Sequence, residues 1–246
     1  MAVLALTWGL IAASAVFIGA ALGWLTRPSA RVLGGLMAFG SGVLLSVVAY
    51  EIVNDAYEDG GLGATMAGYV IGAVLFTAGL FWLDRAGARH RKRSTMAVGA
   101  GRQAGGVVAL ATMLDALPES LIIGVNFYNG EMVALATVAA VFLSNIPESL
   151  SATTRMRLAG HGVGYVVGVW IGVAIVGALA TFGGFLLLRD LSAGEVAFVQ
   201  AIGGGALLVF VVDTMIPEAF AETHELAGLI AALGFLAGFA LALGLG

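Results

Sequence analysis

Apolar runs of about 20 residues, the length that crosses a bilayer as a helix, recur along the whole chain and are separated by short polar punctuations. They fall near 2–25, 31–54, 62–83, 105–127, 132–153, 162–188, 195–219 and 226–245. At 1.5 Å of rise per residue, each run spans the ~30 Å hydrocarbon core. The pattern predicts an all-α polytopic membrane protein with eight transmembrane helices, forming one membrane domain over 1–246. The first run has no positively charged start and is too long for a cleavable signal, so it reads as the first span.

Composition agrees with this pattern: 60% of the 246 residues are hydrophobic and only 11% charged, with a mean hydropathy of +1.02. Ordinary soluble domains are excluded by such values. The placement of charge says more than the net value of −4. Arg27 and Arg31 follow the first run; Arg85, Arg89, Arg91, Lys92, Arg93 and Arg102 follow the third; Arg155 and Arg157 follow the fifth. These are ten of the 11 basic residues, and only Arg189 falls on the opposite side. By the positive-inside rule those loops are cytoplasmic and both termini lie outside. The one long connection, 85–104, reads as a cytoplasmic loop between helices three and four. A small, loop-poor chain of this kind suggests a prokaryotic plasma (inner) membrane, with the lipid bilayer as partner and no nucleic acid. Cysteine is absent, which removes disulfides and thiolate metal ligands.

Two self-similarities point to duplication. Asp115-Ala116-Leu117-Pro118-Glu119-Ser120-Leu121 on the fourth span aligns with Ser144-Asn145-Ile146-Pro147-Glu148-Ser149-Leu150 on the fifth. Gly40-Ser41-Gly42-Val43-Leu44-Leu45 on the second aligns with Gly203-Gly204-Gly205-Ala206-Leu207-Leu208 on the seventh, and without gaps this sets Asp55 opposite Glu218. The members of each pair run in opposite directions, so helices one to three and six to eight are expected to be related by inversion about a central pair. Many secondary transporters place a midplane site this way.

The interiors of spans one, three, six and eight carry no ionisable side chain; spans two, four, five and seven carry them all. A carboxylate at mid-membrane costs about 2.5–3.5 kcal/mol on insertion scales, so Asp115, Glu119 and Glu148 must face a partner, a cavity or an ion. Asp115 and Glu119 share a helix face, as do Ser144 and Glu148, with Asn145 on a neighbouring strip. No Lys or Arg is expected inside the spans to neutralise these acids, which leaves protons or a bound cation to do so. Pro118 and Pro147 each free a carbonyl four residues earlier, at Leu114 and Leu143, and such carbonyls suit cations. Glu51 and Asp55 at the outer end of span two, and Asp213, Glu218, Glu222 and His224 toward the inner end of span seven, are pathway candidates.

Eight spans, outside termini, a long third loop and paired Pro-Glu on spans four and five resemble ZIP metal transporters over essentially the whole chain. In that family span four typically reads His-Asn-x-Pro-Glu-Gly and span five a similar His-Asn-x-Pro-Glu. The resemblance implies metal ligation by Asp115, Glu119, Ser144, Asn145 and Glu148. Met215-Ile216-Pro217-Glu218-Ala219 also looks like the family and makes Glu218 part of an exit path. A 3+2+3 inverted-repeat arrangement, uptake of Zn, Fe or Mn (or Cd) into the cytoplasm, an elevator-like motion and homodimerisation are further implications. Both motif histidines are replaced here and span six has no acid, which favours a single-metal site with oxygen donors alone and a harder ion. The expectation is a transporter of divalent metal with no resident cofactor and no enzymatic activity. Two other readings stay open: a transport-inactive metal-binding or sensing protein and, ranked below it, an intramembrane metal-dependent hydrolase.

Overall fold

The computed structural model of the chain describes residues 2–26, 28–85, 112–113, 116–120, 122–125, 131–188 and 191–245. These residues are almost wholly helical, with no strand among them. Five segments are long and apolar enough to cross a membrane: Leu6–Leu25, Ala30–Trp82, Val163–Leu186, Ala193–Thr223 and Leu226–Gly244. Large apolar side chains such as Phe17, Val74, Phe81, Leu179, Leu233 and Leu236 point outward and exposed, the disposition that lipid rewards and water penalises.

Helix α1 covers Ala2–Leu25. Helix α2, Ala30–Val47, begins at Ser29, whose Oγ accepts from the Val32 N–H, and passes through a π-helical turn, π1 (Val48–Ile52), into α3 (Val53–Arg85). α3 is broken at Gly61, where φ of 70° is free only to glycine. Residues 116–120 and 122–125 are helical and precede α4 (Glu131–Leu158). α5 is Val163–Leu188; α6, Ala193–Phe210, opens on a capping box in which Ser192 N–H and Oγ donate to the Glu195 carboxylate at 2.9 and 2.6 Å. A second π-helical turn, π2 (Val211–Met215), leads into α7 (Ile216–Thr223), and α8 (Leu226–Leu245) closes the described chain.

The glycine-rich match between the second and seventh runs extends far beyond six residues. Displacing Ser29, α2 and π1 by 163 positions lands on Ser192, α6 and π2, residue for residue at every boundary (30 to 193, 47 to 210, 48 to 211, 52 to 215). The same displacement carries the positive φ of Gly61 onto His224, the one non-glycine residue with positive φ among the described residues, at 48°.

Packing repeats as well. α8 lies on α2 and the later part of α3 lies on α6, and these two pairings are, with α1 on α4, the three most extensive between helices. A Cβ on Gly234 would collide with the Phe39 carbonyl and one on Gly72 with the Ile202 carbonyl; one on Gly42 would meet Ala231 and one on Gly205 would meet Tyr69. Gly35 faces Ile230, Gly234 faces Phe39 and Gly238 faces Val43, while Gly60, Gly68 and Gly72 face Ala197, Ala201 and Ile202 in turn, so each pair runs parallel. Small residues are what permit such close backbone approach where lipid offers no hydrophobic drive.

α1 packs along α4, with Gly19 against the Ile146 carbonyl beside Pro147. The Arg157 guanidinium donates to the Trp24 and Thr26 carbonyls at the C-terminus of α1, a satisfying partner for carbonyls that the helix itself leaves open. Trp170 of α5 donates its indole N–H to Thr153 Oγ1 at 2.8 Å, both fully buried. These ties hold α4 between α1 and α5 and aim its remaining polar face at α2, with which it also packs.

Candidate functional site

α4 is the helix on which the polar chemistry is strung. Thr137, Ser144, Glu148, Ser151 and Arg155 follow one another at spacings of seven, four, three and four, which keeps all five on one face. From Thr137 to Arg155 the stripe runs about 27 Å at 1.5 Å per residue, close to the thickness of a hydrocarbon core. Thr137 and Ser144 are fully buried, Ser151 and Glu148 are 5% and 8% exposed. Burial without partners is costly for such groups, and the structure supplies partners from three different elements.

At the first station Thr137 Oγ1 donates to Glu51 Oε2 at 2.7 Å. Glu51 sits on π1, where the widened turn rotates it inward, and it is buried. Its second oxygen, Oε1, has no hydrogen-bond partner among the described residues. Asp55, one turn further, faces the buried Gln200 of α6.

Glu119 forms the middle station. It is 1% exposed, and Ser144 Oγ reaches both its Oε1 at 3.4 Å and the Val141 carbonyl at 3.0 Å. The first of these is long for an O–H donor, so the hydroxyl is held chiefly by its own helix. Asn145 is half-buried, its backbone carbonyl accepting from Ser149 Oγ at 2.7 Å. Asp115 lies outside the described residues. Pro147 and Pro118 are both buried beside these carboxylates.

The third station differs from expectation. The sequence reading placed Arg155 in a loop beyond the fifth span and left the membrane acids without a basic partner. α4 instead continues to Leu158, and the Arg155 side chain turns back along it: Nη2 donates to Ser151 Oγ at 2.7 Å and to Glu218 Oε2 of α7 at 2.6 Å. The two side chains are 22% and 8% exposed. Glu148 and Glu222 add negative charge around the same guanidinium. The hydropathy window ended the span at 153 because two arginines follow closely, whereas helix propensity and the ion pair carry it on. A long side chain at a helix end buries its stem while its charge seeks a partner. The signal was present in the seven-residue spacing from Glu148 to Arg155.

The remaining candidates are dispersed. Asp213 lies on π2, and Glu222 lines a small cavity of about 50 Å³ together with Met37, Ser151, Arg155 and Glu218. His224 is exposed at the α7–α8 turn with its ring edge-on to Phe220. Among the described residues no three His, Asp or Glu side chains converge as a metal centre would require. Thr137, Ser151 and Gln200 escaped the sequence reading because isolated hydroxyls and amides in apolar runs carry no motif.

No protein-family model matches this chain, and no curated protein matches it. The chemistry of the site therefore rests on its own residues. Buried oxygen donors along one face of α4 are met by carboxylates from three other elements.

Proposed function

We propose that this chain is a divalent-metal transporter of the ZIP type, taking up Zn, Fe or Mn into the cytoplasm of the cell across the plasma (inner) membrane. In this reading the chain makes eight spans in a 3+2+3 inverted repeat: it reverses at Gly61 and near His224, and the central pair carries Glu119 and Glu148. Support for the inversion comes from the 163-residue displacement that superposes caps, π-turns and the positive-φ residue of the two outer units.

The observation that carries the function is the buried stripe of α4, met along its length by Glu51, Glu119 and Glu218. The charged members of the stripe and the carboxylates that meet it are costly in lipid, which calls for a role beyond packing. Its donors are oxygen alone, which suits Mn²⁺ and Fe²⁺ at least as well as Zn²⁺. The path runs from Glu51 and Asp55, through Glu119 with Ser144 and Asn145, to Glu148 and the Glu218–Glu222 end. Asp115, four residues before Glu119, completes the middle ligand set in this reading.

The test is ion uptake into liposomes for Zn²⁺, Mn²⁺, Fe²⁺ and Cd²⁺, comparing wild type with Glu119→Ala and Glu148→Ala variants shown to be folded. Flux in wild type that is lost in both variants is the expected result; absence of flux for every ion refutes the reading. A second reading, metal binding without flux, is favoured by one observation: Arg155 already neutralises a carboxylate at the inner end. It predicts metal binding by the purified protein with no uptake.

A further inference from the structure

We infer that Arg155 is a tethered counter-cation, a positioning residue that occupies the inner carboxylate station and closes that end of the path until an arriving ion displaces it. The inference rests on the transport reading above and assigns a role to a basic residue that the reading itself does not require.

One guanidinium is ion-paired with Glu218 and also feels the negative charge of Glu148 and Glu222. If all are ionised the group carries two net negative charges, the complement of one divalent ion. Glu148 belongs to the α4 stripe two turns before Arg155, whereas Glu218 and Glu222 sit one turn apart on α7. Arg155 therefore bridges two elements, and its 2.6 Å bond to Glu218 pins α7 to the end of α4. The neighbouring cavity of about 50 Å³ is bounded by Met37 and Gly34 of α2 as well as by the pair, so the bond also determines how far α2 and α7 stand from α4.

The repeat sharpens the point. Asp55 is the displaced counterpart of Glu218, and it faces the neutral Gln200. The corresponding position on the other unit is Met37, which lies in the wall of the Arg155 cavity. Two equivalent carboxylates thus have different partners: a neutral amide at one end, a fixed positive charge at the other. A mobile cation meets no competing charge at Asp55 but must compete with Arg155 at Glu218. An ion reaching Glu148 repels the guanidinium two turns away and weakens its hold on Glu218, and the end opens only with an ion present. Directionality of release follows from one arginine.

The chain has no cysteine, so a single Met37→Cys substitution reports water access to this cavity without background. In purified protein in detergent, a thiol-reactive maleimide is expected to label Cys at 37 slowly in the otherwise wild-type protein. Labelling should be faster by about tenfold in E218Q and in the doubly neutral R155Q/E218Q protein, which leaves no orphan charge. It should stay slow in R155K, whose ammonium keeps the pair. Added Mn²⁺ should speed labelling of the wild-type background but not of E148Q. Equal labelling rates in all folded variants overturn the latch. Labelling that responds to the variants but not to Mn²⁺ overturns the exchange. If Mn²⁺ speeds labelling while wild-type liposomes show no uptake of any ion, the exchange holds and the transport reading alone fails.

Discussion

Gly72 and Gly234 provide the most direct test of the symmetry that positions the site. Each stands where its helix touches the backbone of a partner: Gly72 of α3 against the Ile202 carbonyl of α6, Gly234 of α8 against the Phe39 carbonyl of α2. Ile202 is Phe39 displaced by 163 positions and Gly234 is Gly72 displaced by 162, so the two contacts correspond with a one-residue slip between the halves of each unit. An alanine methyl at either glycine would overlap the facing carbonyl, and the helices must separate. Overpacking of this kind costs about 1–3 kcal/mol. Against it, alanine gains about 1 kcal/mol over glycine in a helix interior. The net loss is then about 0–2 kcal/mol, which for a chain of this size lowers Tm by up to about 8 °C. Gly228 lies on the same helix as Gly234 with nothing within 4 Å of an added Cβ, so Gly228→Ala should show only the propensity gain and raise Tm slightly. The assay is thermal unfolding in detergent followed by the fluorescence of the four tryptophans. Gly72→Ala and Gly234→Ala should both melt below Gly228→Ala, and by similar amounts. The reasoning fails if one of the two melts with or above the control while the other falls.

Two further outcomes are expected. His224 holds a φ of 48° where its counterpart Gly61 holds 70°, and a left-handed conformation costs a non-glycine residue about 1–2 kcal/mol. His224→Gly should therefore raise stability by about 1 kcal/mol in chemical denaturation; a large loss of uptake in this variant would support His224 as a residue of the ion path. Uptake itself should weaken as pH falls, because a carboxylate must lose its proton to bind metal and protons compete as pH approaches its pKa. The deprotonated form is the binding form, so flux is retained above the carboxylate range and lost through it. Flux unaltered down to about pH 5, near the reference values for Asp and Glu, would sink the carboxylate site.

Much of the architecture was legible because lipid imposes it. Apolar runs of bilayer length announce helices, since a backbone in hydrocarbon must satisfy its own hydrogen bonds, and the runs expected at 2–25, 162–188 and 226–245 emerge as Leu6–Leu25, Val163–Leu186 and Leu226–Gly244. The glycine match at 40–45 and 203–208 was visible as letters, and it marked a correspondence of caps, π-turns and turn residues. Glu119 and Ser144 were expected in one oxygen-rich cluster because each lies on a Pro-Glu motif, and Ser144 Oγ lies 3.4 Å from Glu119 Oε1.

Where a span ends, and what a charged side chain does there, was not legible. Hydropathy alone assigned Arg155 to a loop, because a window of residues records how polar a stretch is and not which partner each charge will find. Its partner Glu218 is 63 residues away, and a contact of that separation exists only once α7 is folded onto α4. Thr137 on Glu51 spans 86 residues and was hidden for the same reason. Sequence by itself determined that the chain is helical and carries several apolar runs of membrane length, because those follow from local composition and period. Only the tertiary structure decided which acids carry a hydroxyl and which carries an arginine, because electrostatic partnership depends on distance in space.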